Sequence, residues 1–249
     1  MGLSKFKQHT LALLSVTNLQ IPFSKKGKLP ALSFKVDDAA LVFVTGSNGI
    51  GKSTFLKQLS GSISSSKSIQ IKGKYLEEYS LKNKANLIGF LEQHHTIGFP
   101  LLVKDLVVMG RFGQKSALEP YNSQDFQCVK DTLTELGVFY LYEKNFLTLS
   151  GGEQQLCLLA QLSLQDPAII LLDEPTQNLD LYNKGKVFDW MEKQVLEKSK
   201  IVVCVTHDLH WIGKQKGFML TLNTTLNEFK VLSESLVVDV IDALKRNEF

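Results

Sequence analysis

The stretch Leu41-Val-Phe-Val-Thr-Gly46-Ser-Asn-Gly-Ile-Gly51-Lys52-Ser53-Thr54 decides the fold. Residues 41–44 are continuously apolar and run into a glycine-rich turn, as a strand buried on both faces of a parallel sheet does. Helical spacing starts directly afterwards, over residues 53–59. The turn fits G-x-x-x-x-G-K-[ST] in the strand–loop–helix setting that the motif requires. A polyphosphate needs many N–H donors converging on it, and glycines let the backbone wrap that closely. Gly46, Ser47, Asn48, Gly49, Ile50, Gly51 and Thr54 therefore form a candidate cradle, with the positive end of the following helix aimed at the phosphates. Lys52 is placed to reach the β- and γ-phosphates, and Ser53 to offer its hydroxyl to Mg²⁺. At average composition the pattern arises by chance in roughly 1% of chains this long. The reading is a nucleotide-binding site.

Outward from the cradle, short β-rich runs alternate with helical patterns, which makes this an α/β chain. Residues 16–21 and 31–36 read as strands, the second with Ser33 and Lys35 facing out. The Ser- and Gly-rich stretch 61–74 ends in alternating SIQIKGK and reads as a small antiparallel hairpin. From about 92 to 165 the pattern is mostly helical, punctuated by Pro100, Gly110, Gly113, Pro120 and Gly137, as a helical insert between two halves of one sheet would be. Residues 168–172 and 201–205 return as buried strands. The tail from Asn223 ends in LVVDVIDALKR, an amphipathic helix with Leu236, Val240 and Leu244 on one side. No 20–50-residue repeat or long heptad run appears.

The 249 residues, 44% of them hydrophobic, bury a substantial core without disulfides. The 28 basic and 25 acidic side chains are too evenly balanced for a nucleic-acid-binding surface, so no nucleic acid is expected as a partner. Residues 1–36 hold six Lys and no acid, which reads as a solvated face. No apolar run approaches the ~18 residues of a spanning helix, and neither a signal peptide nor a myristoylation site fits the start. Cys128, Cys157 and Cys204 have no metal or disulfide spacing and read as small buried hydrophobes in a reducing compartment.

A second site follows from Ala-Ile-Ile-Leu-Leu-Asp173-Glu174-Pro175, an apolar strand ending in two acids. Beside a phosphate-binding strand, the first acid is placed to hold Mg²⁺ through its water shell and the second to polarise an attacking water. Leu149-Ser150-Gly151-Gly152-Glu153-Gln154-Gln155 stands 23 residues before Asp173, counted from Ser150. This resembles the signature of the ATP-binding-cassette (ABC) ATPases, and their other motifs occur in order. Gln93 matches the Q-loop, Asn178-Leu179-Asp180 the D-loop and His207 the switch histidine. Phe23 aligns with the aromatic on which the family stacks adenine. The resemblance covers about residues 15–220.

It implies a P-loop NTPase (RecA-like) core with a small antiparallel β subdomain and an inserted helical subdomain, all in one ABC ATPase domain over 1–249 with a tail at 223–249. It also implies ATP and Mg²⁺ as cofactors and a head-to-tail pair of cassettes, most simply a homodimer. Glu174, His207 and Gln93 would act on one nucleotide, with Ser53, Gln93 and Asp173 around the metal. Ser150, Gly151 and Gly152 would close over the nucleotide of the partner, small residues there letting N–H groups and a hydroxyl approach the γ-phosphate. Asp180 belongs to the same pairing surface.

The length has room for a cassette but not for a fused membrane domain, so a separate integral membrane permease is the expected partner. A substrate-binding protein would complete the system, with the cassette cytoplasmic and peripherally attached to the inner membrane. Residues 103–111, VKDLVVMGR, are similar to a segment of ATPases serving importers of iron chelates, haem and cobalamin, whereas Phe99-Pro100 is also found among zinc and manganese systems. Val103, Leu106 and Met109 read equally as a permease-docking surface or as helix core. His94 and His95 lack a third ligand, and Asp105 and Arg111 read as structural or surface charges. A soluble ABC ATPase that assembles a complex such as iron–sulfur machinery is the alternative from another class, and a non-hydrolysing regulator is disfavoured by Glu174. Three positions depart from the family pattern: Leu156 and Gln161 where Arg is common, and Gly217 where Asp is common.

Overall fold

The computed structural model describes residues 13–22, 29–93, 97–116 and 119–245. Phe23, His94 and His95 lie outside the described residues, as does the side chain of Leu244. In chain order the elements are β1 Leu14–Leu19, β2 Leu32–Val36, β3 Ala40–Thr45, α1 Lys52–Leu59, β4 Ile69–Ile71, β5 Lys74–Tyr75, α2 Leu81–Leu87 and β6 Ile88–Leu91. They continue with α3 Val103–Val108, α4 Ser123–Glu135, α5 Gly151–Gln165, β7 Ile169–Asp173, α6 Leu181–Leu196, β8 Ile201–Val205, α7 Leu209–Ile212, β9 Phe218–Thr221, β10 Glu228–Val231 and α8 Glu234–Lys245. A six-stranded sheet runs β10-β9-β3-β8-β7-β6, and a four-stranded antiparallel sheet runs β2-β1-β4-β5.

The large sheet explains why its strands are uninterrupted apolar runs. Every residue of β3, β7 and β8 is buried, because both faces are covered and alternate side chains enter different cores. Leu41, Phe43, Ile170, Leu172, Val202 and Cys204 pack with the helices, where Phe43 approaches Phe188 of α6 at 6.3 Å. Val42, Val44, Leu171 and Val203 turn the other way, against Phe55 and Leu56 of α1 and the antiparallel sheet. Full burial of each such side chain contributes roughly 2–3 kcal/mol. On β2 only one face is covered, and Ser33 and Lys35 point outward as their alternation predicts.

Parallel pairing of β6 with β7 sends the chain between them through a long crossover, and α3, α4 and α5 occupy it. Val103 and Leu106 of α3 are buried there, so their spacing serves helix packing; Met109 is 41% exposed and belongs to the surface. A short 3₁₀ strap, Met109–Gln114, follows α3. It is pinned on Asp125, the capping-box residue of α4, which takes hydrogen bonds from Arg111 Nε at 2.6 Å and from the Asn122 amide at 2.9 Å, and an ion pair with Lys115 at 2.7 Å. Burial alone would raise the Asp125 carboxyl, yet the donors from Lys115, Asn122 and Arg111 hold it down at about 2. Arg111 is thus a structural charge.

The chain after residue 217 is part of the large sheet and of the core. β9 pairs parallel to β3, β10 returns antiparallel beside β9, and Val237 and Val240 of α8 join the helical core. The sequence reading had found only α8 in this region. β9 and β10 are four residues each, and β10 is half-exposed, so neither has the long apolar run that marks an interior strand. Helix α6 also lies outside the runs read from the sequence; it begins directly after the D-loop residues, with Asp180 as its N-cap. Of the cysteines, Cys157 and Cys204 are buried and Cys128 half-buried; burial pushes the Cys157 thiol up to about 12.

Two departures from the family pattern have a local reason. Leu156 is 1% exposed in the helical core, where a guanidinium would lose its water. Gly217 has φ +152°, and a Cβ there would strike the carbonyl oxygen of Leu41 on β3. We expect Gly217→Asp, which restores the residue common in the family, to destabilise the fold by about 2–4 kcal/mol. Urea unfolding at neutral pH measures it, and an unchanged midpoint would refute the steric account.

Candidate active site

Register assembles the site. Val44 of β3 and Asp173 of β7 both pair with Val205 of β8, and Leu91 of β6 pairs with Leu172 of β7. Four parallel strands therefore end level, and the loops that follow them open on one edge of the sheet, the place where open α/β sheets bind ligands. The loops surround a cleft of about 650 Å³ lined by Asn48, Gly49, Gly51, Lys52, Ser53 and Thr54 from the glycine-rich turn. Gln93, Asp173, Glu174 and His207 line it too.

Within the turn, the residues divide into those that face the cleft and those that hold the loop. Gly51, with φ +113°, is the N-cap of α1, and a Cβ on it would stand 2.9 Å from Ile21. The Ile50 side chain is fully buried in the core, and its amide donates to the Ser47 carbonyl at 3.3 Å. Gly46 is buried, with a Cβ position 2.7 Å from the Leu222 carbonyl oxygen. Of the predicted ligand contacts, Gly46, Ser47 and Ile50 are not among the residues that line the cleft, and the Ile50 side chain packs into the core behind the turn. Lys52 Nζ donates to the carbonyls of Gly46 at 2.8 Å and Ser47 at 3.2 Å, drawing the loop around its own charge. Burial lowers the Lys52 pKa, while Glu174 and Asp173 oppose that shift.

The two acids differ. Burial raises the Asp173 pKa, opposed by a hydrogen bond from the Ser53 hydroxyl and by the charge of Lys52. The Asp173–Ser53 pair offers hard oxygen donors of the kind a Mg²⁺ accepts. Glu174 has left-handed backbone, φ 51°, unusual for a residue with a Cβ. Its amide donates to the Val205 carbonyl at 2.9 Å, which fixes the kink at the strand end and turns the carboxyl into the cleft. Burial pushes its pKa up to about 7, even though the His207 amide and Lys52 pull it down. His207 Nε2 lies 3.3 Å from Glu174 Oε1, and the His207 amide donates to Glu174 Oε2 at 3.3 Å. Burial lowers the imidazole pKa. A carboxyl titrating near neutrality beside an imidazole is suited to accept a proton from water.

Other predicted residues lie elsewhere. Gln93 reaches the cleft, but its amide donates to Gln177 Oε1 at 2.9 Å and lies along the rim. Asp180 is absent from the lining; it caps α6, accepting from the Asn183 amide at 2.8 Å. Ser150 caps α5 with Glu153 as its capping-box partner, and Gly151 has open space where a Cβ would stand. These signature residues are separate from the cleft of their own chain; Ser150 and Gly151 are exposed, and Gly152 is half-buried against Leu179. Gln177, Lys184 and Asp208 line the cleft and were missed. The one sequence signal for Asp208 was its place next to His207.

A P-loop nucleoside triphosphatase is the class that this fold and cleft define. The chain belongs to the ABC transporter family: residues 29–177 match the family described as ABC transporter. It binds ATP and is an ATPase. A "Probable metal transport system ATP-binding protein" of Thermotoga maritima is 30% identical over 87% of this chain and 84% of that protein. The ferric enterobactin transport ATP-binding protein of Escherichia coli strain K12 is 26% identical over 94% and 85%. A solved ABC transporter assigned to the metal-chelate type, in an inward-facing conformation, superposes with TM-score 0.76 at 30% identity, over 88% of this chain and 83% of that one. A dimeric bacterial ABC transporter cassette shares the fold, with TM-score 0.75 at 21% identity over 89% and 98%.

The raised Glu174 pKa has a definite sign for stability. The folded carboxyl keeps its proton up to about 7, whereas an unfolded one loses it near its ordinary 4.5, so folding takes up a proton between those values. Glu174 therefore costs stability increasingly as pH rises through that window. Glu174→Gln is expected to melt progressively higher than the parent as pH goes from 5 to 8; a constant difference would contradict the burial of this charge.

Proposed function

We propose that this chain is the ATP-hydrolysing subunit of an importer for a metal chelate, and that it works as one ABC ATPase domain. The observation that carries the hydrolytic part is the Glu174–His207 contact at the mouth of the cleft, with Glu174 titrating near 7. Lys52 and the amides around Gly49 and Gly51 bind the phosphates of ATP. Ser53 and Asp173 would hold Mg²⁺, with Gln93 turning from Gln177 toward it; an ion held there would supply positive charge against the phosphates. Glu174 takes the proton of the attacking water, and His207 orients Glu174 and the γ-phosphate. Phe23 would stack the adenine.

The exposed Ser150 and Gly151, with Gly152 beside them, support a head-to-tail homodimer in which each signature closes over the other chain's ATP, with Asp180 at the same seam. Among the described residues no helix is long and apolar enough to cross a membrane, and relatives named as transport ATP-binding proteins support a separate permease as the partner. The 3₁₀ strap favours its docking site: Phe112 is 71% exposed and, with Met109, Phe90 and Leu158, rims a groove of about 330 Å³. The cassette would then sit on the cytoplasmic face of the inner membrane, and a substrate-binding protein would deliver cargo. Iron chelates are the favoured cargo, because segment 103–111 looks like that of such importers and relatives are named for ferric enterobactin, iron hydroxamate and iron chelatin.

Three outcomes test this. Glu174→Gln is expected to lower ATP turnover at least about 100-fold while keeping ATP bound in a stable dimer, measured by phosphate release and gel filtration. Lys52→Ala is expected to weaken ATP binding roughly 10- to 100-fold, read by calorimetry. Tagged protein recovered from gently solubilised membranes should carry a polytopic membrane protein, and Phe112→Asp should lose it; recovery of soluble proteins alone would overturn the transport assignment.

A further inference from the structure

We propose that Lys184 is a positioning residue for ATP hydrolysis: through Asp208 it holds His207 against Glu174 and ties that contact to the first turn of α6. This rests on the hydrolytic roles given above for Glu174 and His207.

The His207 imidazole is half-exposed and meets Glu174, and the loop that carries it is held through its two neighbours. Thr206 is buried, and its Oγ1 accepts the Asp208 amide at 3.1 Å and lies 3.4 Å from Thr176 Oγ1. The Thr176 hydroxyl in turn donates to Asp208 Oδ2 at 2.5 Å. Asp208 Oδ1 accepts Lys184 Nζ at 2.6 Å, with both side chains about three-quarters shielded from solvent. One carboxylate thus gathers three segments: the chain after β7, which carries Glu174 two residues before Thr176; the chain after β8, which carries His207; and α6.

Lys184 is the only cation paired with Asp208 among the described residues. Without it, a shielded carboxylate would be left unpaired close to the Glu174 carboxyl, and the two would repel. The loop would relieve this by moving, and His207 would move with it. The other end of the tie is equally specific. The Lys184 amide donates to the Asp180 carbonyl at 2.9 Å, so the ammonium springs from the turn that Asp180 caps. A partner chain pressing on residues 178–180 would shift that turn, and Lys184 carries the shift to His207. Turnover is thereby made sensitive to pairing without a new contact to nucleotide.

The test uses the full chain with Lys184→Met, Lys184→Arg, Asp208→Asn and the Lys184→Met/Asp208→Asn double variant. Lys184→Met is expected to lower turnover about 10-fold with ATP affinity within about twofold, and Lys184→Arg to restore most of the rate. The double variant should be no slower than Lys184→Met, because the two act through one link. A parental rate in Lys184→Met, a parallel loss of ATP affinity, or additive losses would overturn the proposal. Should Lys184→Met fail to fold, Lys184→Gln makes the same test. A second readout is independent of activity: the His207 titration by NMR, where burial and Lys52 of α1 lower the imidazole pKa and Asp208 in its own loop raises it, with Glu174 after β7 in contact with the imidazole and Lys184 of α6 paired to Asp208. Its midpoint should rise in Lys184→Met, where Asp208 is no longer neutralised, and stay in place in Lys184→Arg; an unmoved midpoint in Lys184→Met would overturn the tie. Absence of turnover in the parent would instead refute the ATPase assignment, and the NMR result would still decide the tie.

Discussion

The level ends of four parallel strands are the constraint on which the rest of this molecule depends. Asp173 and Val44 share Val205 as their neighbour across β8, so a slip of one residue in either pairing would move an acid or the glycine-rich turn out of the cleft. It would also reverse the faces of those strands, burying in each core the side chains fitted to the other. The two apolar cores therefore guard the register, and the register places the chemistry. This is why the strands that carry the site are the most completely buried elements of the chain.

Charges at the cleft are tuned by that same burial. Lys52 is lowered and Asp173 and Glu174 are raised, each mainly because water is withdrawn from it. The three act on one another across the cleft, so the introduction of polyphosphate changes all of them together. The left-handed backbone of Glu174 adds to this economy: a kink held by one hydrogen bond to Val205 turns the carboxyl off the strand axis toward His207. Further from the chemistry, Asp125 uses the opposite device, two cations and an amide that keep its carboxylate charged and hold the exposed strap in place.

What was legible in the sequence was whatever depends on neighbours along the chain. The glycine turn between β3 and α1, the acids ending β7 and the buried runs of β7 and β8 are each local patterns, and each appears where its pattern placed it. Ambiguity arose where one pattern serves two purposes. The i, i+3 spacing of Val103 and Leu106 suits docking and packing alike, and only burial decides for packing. Ile50 belongs to the phosphate-binding motif, yet its side chain serves the core. The short strands β9 and β10 were invisible because they are strands by pairing, one beside β3 and one beside β9, and carry little apolar pattern of their own.

The sequence by itself determined the family, the phosphate-binding turn and the order of the motifs, because covalent spacing and local backbone preference suffice for these. Tertiary structure alone decided which residues meet. Glu174 and His207 are 33 residues apart and Lys184 and Asp208 are 24, yet each pair is in contact. No pattern along the chain records such contacts; they follow from strands that end level and from a helix that crosses back over them.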